Sequence, residues 1–132
     1  FPACLEDDHI LQLAGETFYR AIWVRLHGNE LEDQKIADEL FDAAVNPGEK
    51  TAVSFLQKSM NALNRRGTSW PDVLVDGVVG NQTLATLKKA SADYVLIAKS
   101  MKVMRFSYFL NRMQVNPKLE EFARGLFART EL

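Results

Sequence analysis

The apolar residues of this chain recur at steps of three and four for most of its length, and that spacing allows a stack of amphipathic helices and little else. Ile10, Leu11, Ala14, Phe18, Ala21 and Ile22 predict one buried face of a first helix, with Asp7 or Asp8 as its cap and Gly28 at its end. Ile36, Ala37, Leu40, Phe41 and Ala44 predict a second helix over 33–45. The run Asn46-Pro47-Gly48 ends it, because proline disfavours helix in the residue before it. Val53, Leu56, Met60 and Leu63 place a third helix over 50–64.

Residues 65–80 hold Gly67, Pro71, Gly77 and Gly80 and read as an ordered connection, with Val73-Leu74-Val75 as a short extended piece. Asn81 is placed as the cap of a helix reaching about Ala90. Residues 92–113 are nearly free of breakers and carry Val95, Leu96, Ala98, Met101, Met104, Phe109 and Leu110, which predicts a long central helix. Asn116-Pro117 pairs a cap residue with proline at the first helical position, and a last helix is expected from there to about Arg129. The expected fold class is all-α.

With 132 residues and 47% hydrophobic side chains, the chain has enough apolar surface for a core without staples. Cys4 is its single cysteine, so no internal disulfide forms. His9 and His27 stand far apart without partner ligands, and no zinc site is expected. Residues 1–49 carry eleven acidic side chains against three basic ones, whereas residues 50–132 carry six against thirteen. Two oppositely charged surfaces that help the halves dock account for this, and a basic half also attracts polyanions. Nucleic acid is not expected as a partner, because the bases are spread among apolar residues and form no reading helix. No apolar run is long enough to span a bilayer, which takes about 20 residues. No signal peptide is visible, but the first residue is Phe, so the natural start is not in view.

Three ordered patterns carry a resemblance. The first is Phe18-Tyr19-Arg20-Ala21-Ile22-Trp23 with Gly28-Asn29-Glu30-Leu31 downstream. The second is Phe41-Asp42-Ala43-Ala44-Val45-Asn46-Pro47-Gly48, followed by Ala52 and Leu56-Gln57. The third is Asp76-Gly77-Val78-Val79-Gly80-Asn81-Gln82-Thr83-Leu84, with a weaker echo in Gly125-Leu126-Phe127-Ala128-Arg129. Together they resemble the glycoside hydrolase family 108 lysozymes, whose members are often labelled secretion activators. The third pattern looks like the "DG-x-[IV]-G-P-x-TL" signature of peptidoglycan-binding domains, with Asn81 in place of its proline.

The resemblance implies a remnant of a lysozyme-like helical domain (residues 1–64) packed with a small helical peptidoglycan-binding domain (residues 65–132). It implies peptidoglycan as partner, acid-assisted cleavage with no metal and no organic cofactor, and a bacterial envelope or phage-encoded setting. In that family the catalytic glutamate sits in a Glu-Gly-Gly motif that these 132 residues do not contain. No catalytic residue is therefore assigned; the acid that glycosidic cleavage needs is expected upstream. Glu16 and Glu30 read as solvated carboxylates.

The candidate substrate-binding residues are Tyr19, Trp23, Asp42, Asn46, Asp76, Arg105 and Tyr108. Tyr19 and Trp23 share a helix face whose aromatic planes suit sugar rings, although such a pair also packs in a core. Asp42 and Asn46 lie four apart and line a cleft or anchor a loop. Asp76-Gly77 is first of all a turn. Arg105, Tyr108 and Arg112 read as a polar strip on the long helix, where a solvated face is the default. The leading expectation is a wall-binding part of a muramidase. The alternatives are a non-catalytic peptidoglycan-binding module and a helical regulatory or interaction module. The surface left by a missing first segment is expected to favour a homodimer or a swapped oligomer.

Overall fold

The structure, a computed structural model, describes residues 8–128, with side-chain burial from residue 15. It is all-helical, and no strand occurs among the described residues. Its helices are α1 (Asp8–Arg25), α2 (Gln34–Ala43), α3 (Glu49–Leu63), α4 (Asn81–Lys89), α5 (Tyr94–Val115) and α6 (Ala123–Ala128). Short 3₁₀ turns at Gly28–Glu30, Ser91–Asp93 and Pro117–Phe122 join them. A cap at Asp7, the burial of Ile10, Leu11 and Ala14, and a helix end at Arg129 lie outside the described residues and side chains.

The centre is a three-helix packing of α2, α3 and α5. Leu40 of α2, Ala52, Leu56 and Met60 of α3, and Ile97 and Met101 of α5 are fully buried at their contact. One continuous apolar cluster adds Ile22 from α1 and Leu26 just beyond it, Trp70, Val73 and Val79 from the connection, and Leu87 and Ala90 from the α4 end. The spacing rule located α2 and α3 well, since Ile36, Ala37, Leu40, Val53, Leu56 and Met60 are all buried. It overreached on α1, where Phe18 is 55% exposed while Ile22 is buried. Among the described side chains of α1, Ile22 enters the core and Tyr19 and Trp23 pack on Phe41, while Phe18 lies at the edge against Tyr19. On α5 likewise, Val95, Leu96 and Leu110 are exposed. A helix this long has a full face left over once one stripe is packed.

Asp33 caps α2, its side chain accepting the Ile36 N–H at 3.0 Å. The helix ends at Ala43, two residues short of the expected Val45. Ala44–Gly48 forms a wider turn in which Asn46 leaves the helical region (φ −159°, ψ 113°) before a cis bond to Pro47. At α4 the expected cap is displaced. Gly80 occupies the cap position without a side chain to use there, and Asn81 is already the first helical residue. A capping oxygen serves the amides two and three residues on, which a residue inside the helix cannot do. Asn116 likewise makes no side-chain cap bond, and the proline after it opens a 3₁₀ turn rather than an α-helix.

The connection 64–80 is held by amides of α3. Asn61 brackets Val73, its Oδ1 accepting the Val73 N–H at 2.8 Å and its Nδ2 donating to the Val73 carbonyl at 2.9 Å. That pairing holds Val73 to α3 from both sides of its peptide, and no strand is assigned over Val73–Val75. Trp70 turns inward and donates its indole N–H to the Met60 carbonyl at 3.0 Å.

Gly28 closes the α1 corner by close approach. A Cβ there falls inside the Trp23 indole, whose Nε1 is fixed by a 2.9 Å bond to Asn29 Oδ1. Gly28→Ala is expected to cost about 1–3 kcal/mol through overpacking. Thermal unfolding followed by tryptophan fluorescence checks it; an unchanged midpoint and spectrum would show that the ring moves aside freely.

Candidate binding groove on the α2–α5 seam

Side chains on the outer side of the α2–α5 contact line two depressions. The first, about 330 Å³, takes Lys35, Asp38, Glu39 and Asp42 from α2 and Val95, Ala98, Lys99 and Lys102 from α5. The second, about 450 Å³, opens between the Asn46-Pro47 turn, Tyr108, Phe109 and Arg112 of α5, and Phe122 of the following turn. Residue numbers rise together along both walls. The two depressions therefore follow one seam, charged at one end and aromatic at the other.

Arg105 and Glu39 join the walls between the two ends. Arg105 Nε lies 2.7 Å from Glu39 Oε1, and Nη2 donates to Oε2 at 3.2 Å. Their side chains are only 15% and 5% exposed. The Nε–Oε1 approach is an ion pair without hydrogen-bond alignment, which leaves both atoms without a directed bond. Burial pushes the Glu39 carboxyl above its ordinary value, and the attraction of Arg105 and Lys102 only partly offsets this. Arg105 is thus not on the solvated strip that the sequence suggested. It is an interior tie, with its guanidinium 5.2 Å from the Phe106 ring.

At the aromatic end Tyr108 rests edge-on against the buried Phe55 ring at 6.5 Å. Arg112 Nη1 donates to the Tyr108 hydroxyl at 3.3 Å, and its guanidinium carbon lies 5.9 Å from the same ring. Asn46, Arg112 and Phe122 are exposed.

Four of the seven sequence candidates, Asp42, Asn46, Arg105 and Tyr108, thus come together along the seam. Asp42 and Asn46 do so without sharing a helix, because α2 has ended before Asn46. Tyr19 and Trp23 lie elsewhere, packed on Phe41 with ring centroids 5.6 and 6.0 Å away. Phe41 and Asp42 are neighbours on α2 and point about 100° apart, so the α1 aromatics face a different side from the groove. Asp76 lies apart again, in the turn beside α3. Its Oδ1 accepts the Val78 N–H at 3.0 Å and the Gln57 amide at 2.9 Å, and these bonds hold the carboxyl below the usual range.

Glu39, Phe109 and Phe122 were missed. Glu39 had left a signal: it falls among Ile36, Leu40 and Ala43 on the apolar stripe of α2, where a carboxylate needs a partner. Phe122 left none, because its place at the groove depends on how the chain turns back after α5.

A family model described as "Predicted Peptidoglycan domain" matches residues 51–131. The chain belongs to this predicted peptidoglycan domain family. Comparison with curated proteins and with solved structures finds no match. The family span opens in the first turn of α3 and takes in α5, so one wall of the groove lies inside it and the α2 wall lies before it. The lock between Gln57 and the Asp76-Gly77 turn lies wholly within the family span. No helix of the described residues is long and apolar enough to cross a membrane.

Proposed function

We propose that this chain binds bacterial peptidoglycan along the α2–α5 seam and serves a glycan-cleaving wall hydrolase of the muramidase type. Membership of the peptidoglycan domain family carries the binding part. The seam supports its placement, since it combines aromatic rings, hydrogen-bonding side chains and charge in a concave strip, as ligand sites do.

The hydrolase part rests on the resemblance of the 18–31 and 41–57 patterns to family 108 lysozymes. Protonating a glycosidic oxygen takes a carboxylic acid with a raised pKa that can reach it. Burial raises Glu39, but its carboxyl is 5% exposed and faces Arg105, so it serves as a tie. In family 108 the cleaving glutamate stands in a Glu-Gly-Gly motif, which these 132 residues do not contain, so cleavage is assigned to no residue of this chain.

Incubating the protein with purified sacculi, and measuring bound protein and new reducing ends, tests both parts. Binding is expected, with sugar release only from a form that carries a Glu-Gly-Gly glutamate. Binding without release from such a form leaves a non-catalytic wall-binding module. Absence of binding overturns the proposal and favours a regulatory or interaction role.

A further inference from the structure

We infer that the aromatic end of the seam is a subsite for an N-acetylated sugar that carries a carboxylate, the acidic unit of the wall polymer rather than its neutral one. The inference rests on the peptidoglycan reading above and goes further by assigning one chemical unit to one cleft. The cleft's volume of about 450 Å³ falls within the range of roughly 300–1,000 Å³ usual for small-ligand sites. A sugar ring fits it, and a whole strand must continue along the groove.

Three features select the ligand. Phe122 holds 67% of its surface in solvent, so one aromatic plane is offered that the core does not consume, beside the half-buried Tyr108 and Phe109. The electron-rich face of such a ring suits the C–H face of a pyranose. Asn46 supplies a carboxamide, donor and acceptor together, which matches an acetamido group.

Arg112 gives the third and most selective feature. Its guanidinium is positioned by the Tyr108 ring and hydroxyl, and among the described residues no carboxylate pairs with it. Among the described residues it is the one formal charge lining this cleft, whereas the other end of the groove mixes Lys35, Lys99 and Lys102 with Asp38 and Asp42. A planar guanidinium fork held at a cleft wall is suited to a carboxylate, which it can engage with two parallel bonds.

The carboxylate has two possible sources, the lactyl group of a peptide-free muramyl unit and the stem peptide attached to it. Calorimetric titration of the protein with three probes separates them: a neutral N-acetylglucosamine oligomer, glycan strands stripped of peptide, and disaccharide–peptide fragments. Arg112→Gln and Phe122→Ala serve as variants, since both residues are exposed and neither belongs to the core cluster. Wild type should prefer a carboxylated probe, and the better of the two names the source. Arg112→Gln should lose about tenfold or more on that probe, as expected for one charge-assisted contact, and little on the neutral oligomer. Phe122→Ala should weaken all three.

Equal binding of neutral and acidic probes by wild type, or unchanged binding by both variants, overturns the subsite. If wild type still binds sacculi, the peptidoglycan reading survives that result. If wild type binds neither sacculi nor probes, both readings fail together.

Discussion

Gln57→Leu is expected to cost about 2–4 kcal/mol and to release the 72–80 segment from α3. The side chain is 1% exposed and serves as the hub of that segment. Its Oε1 accepts the N–H groups of Asp76 and Gly77 at 3.1 and 3.0 Å. Its Nε2 faces Asp76 Oδ1 at 2.9 Å, the Val78 carbonyl at 3.0 Å and Thr83 Oγ1 at 3.2 Å. Leucine fills a similar volume but leaves these groups unpartnered, at about 1–3 kcal/mol for each that water cannot reach. Asp76 and Val78 are exposed and can be rehydrated, which holds the total below the full sum. Urea unfolding followed by helical circular dichroism measures it, and a loss below about 0.5 kcal/mol, the scale of an ordinary surface change, would refute the hub. The gap between wild type and variant should narrow in acid. The bond from Gln57 is the main cause that lowers the Asp76 pKa, so Asp76 contributes stability above its unfolded value of about 3.9 and loses it as pH falls through the lowered one.

That hub gives a physical reason for two sequence patterns that look independent, Leu56-Gln57 and Asp76-Gly77-Val78-Val79-Gly80. Leu56 enters the core while its neighbour Gln57 ties the turn. Gly77 takes φ +76°, and a Cβ there would strike Lys50 of α3. Asp76 was therefore legible as a turn residue, and the structure gives its carboxylate local work to do. The helices were legible because 3.6-residue periodicity is local and strong, as Ile36–Leu40 and Val53–Met60 show. Helix ends were less so: Gly80 against Asn81 and Ala43 against Val45 are decided by where the chain must go next. The groove was half legible. Asp42, Asn46, Arg105 and Tyr108 could be picked out by residue type, but their alignment depends on α2 lying against α5 across sixty residues of chain. No local pattern encodes that contact. Arg105 shows the consequence, since only the tertiary pairing with Glu39 separates a tie from a solvated strip.

Arg105→Ala is accordingly expected to destabilise the protein by about 3 kcal/mol near neutral pH, because it strands a buried carboxylate. The loss should be pH-dependent. Burial is the largest cause of the raised Glu39 pKa, so the folded chain holds that proton more tightly than the unfolded one. The stability contributed by Glu39 is then complete below its unfolded pKa of about 4.3 and fades as pH rises through the raised value. Without Arg105 the carboxyl loses an attraction that restrains the shift, so the fade grows steeper and the variant falls further behind wild type as pH rises. Replacing both residues with leucine removes the stranded charge and should return stability to about the wild-type level or above it. Chemical unfolding from acid to neutral pH measures all three proteins, and a flat difference between Arg105→Ala and wild type would contradict the buried-pair account. The same double variant separates structure from recognition. If it folds and still binds sacculi, the pair acts only by holding the groove walls together. If it folds and binding is lost, Arg105 or Glu39 meets the ligand, and the site extends from the aromatic cleft into the middle of the seam.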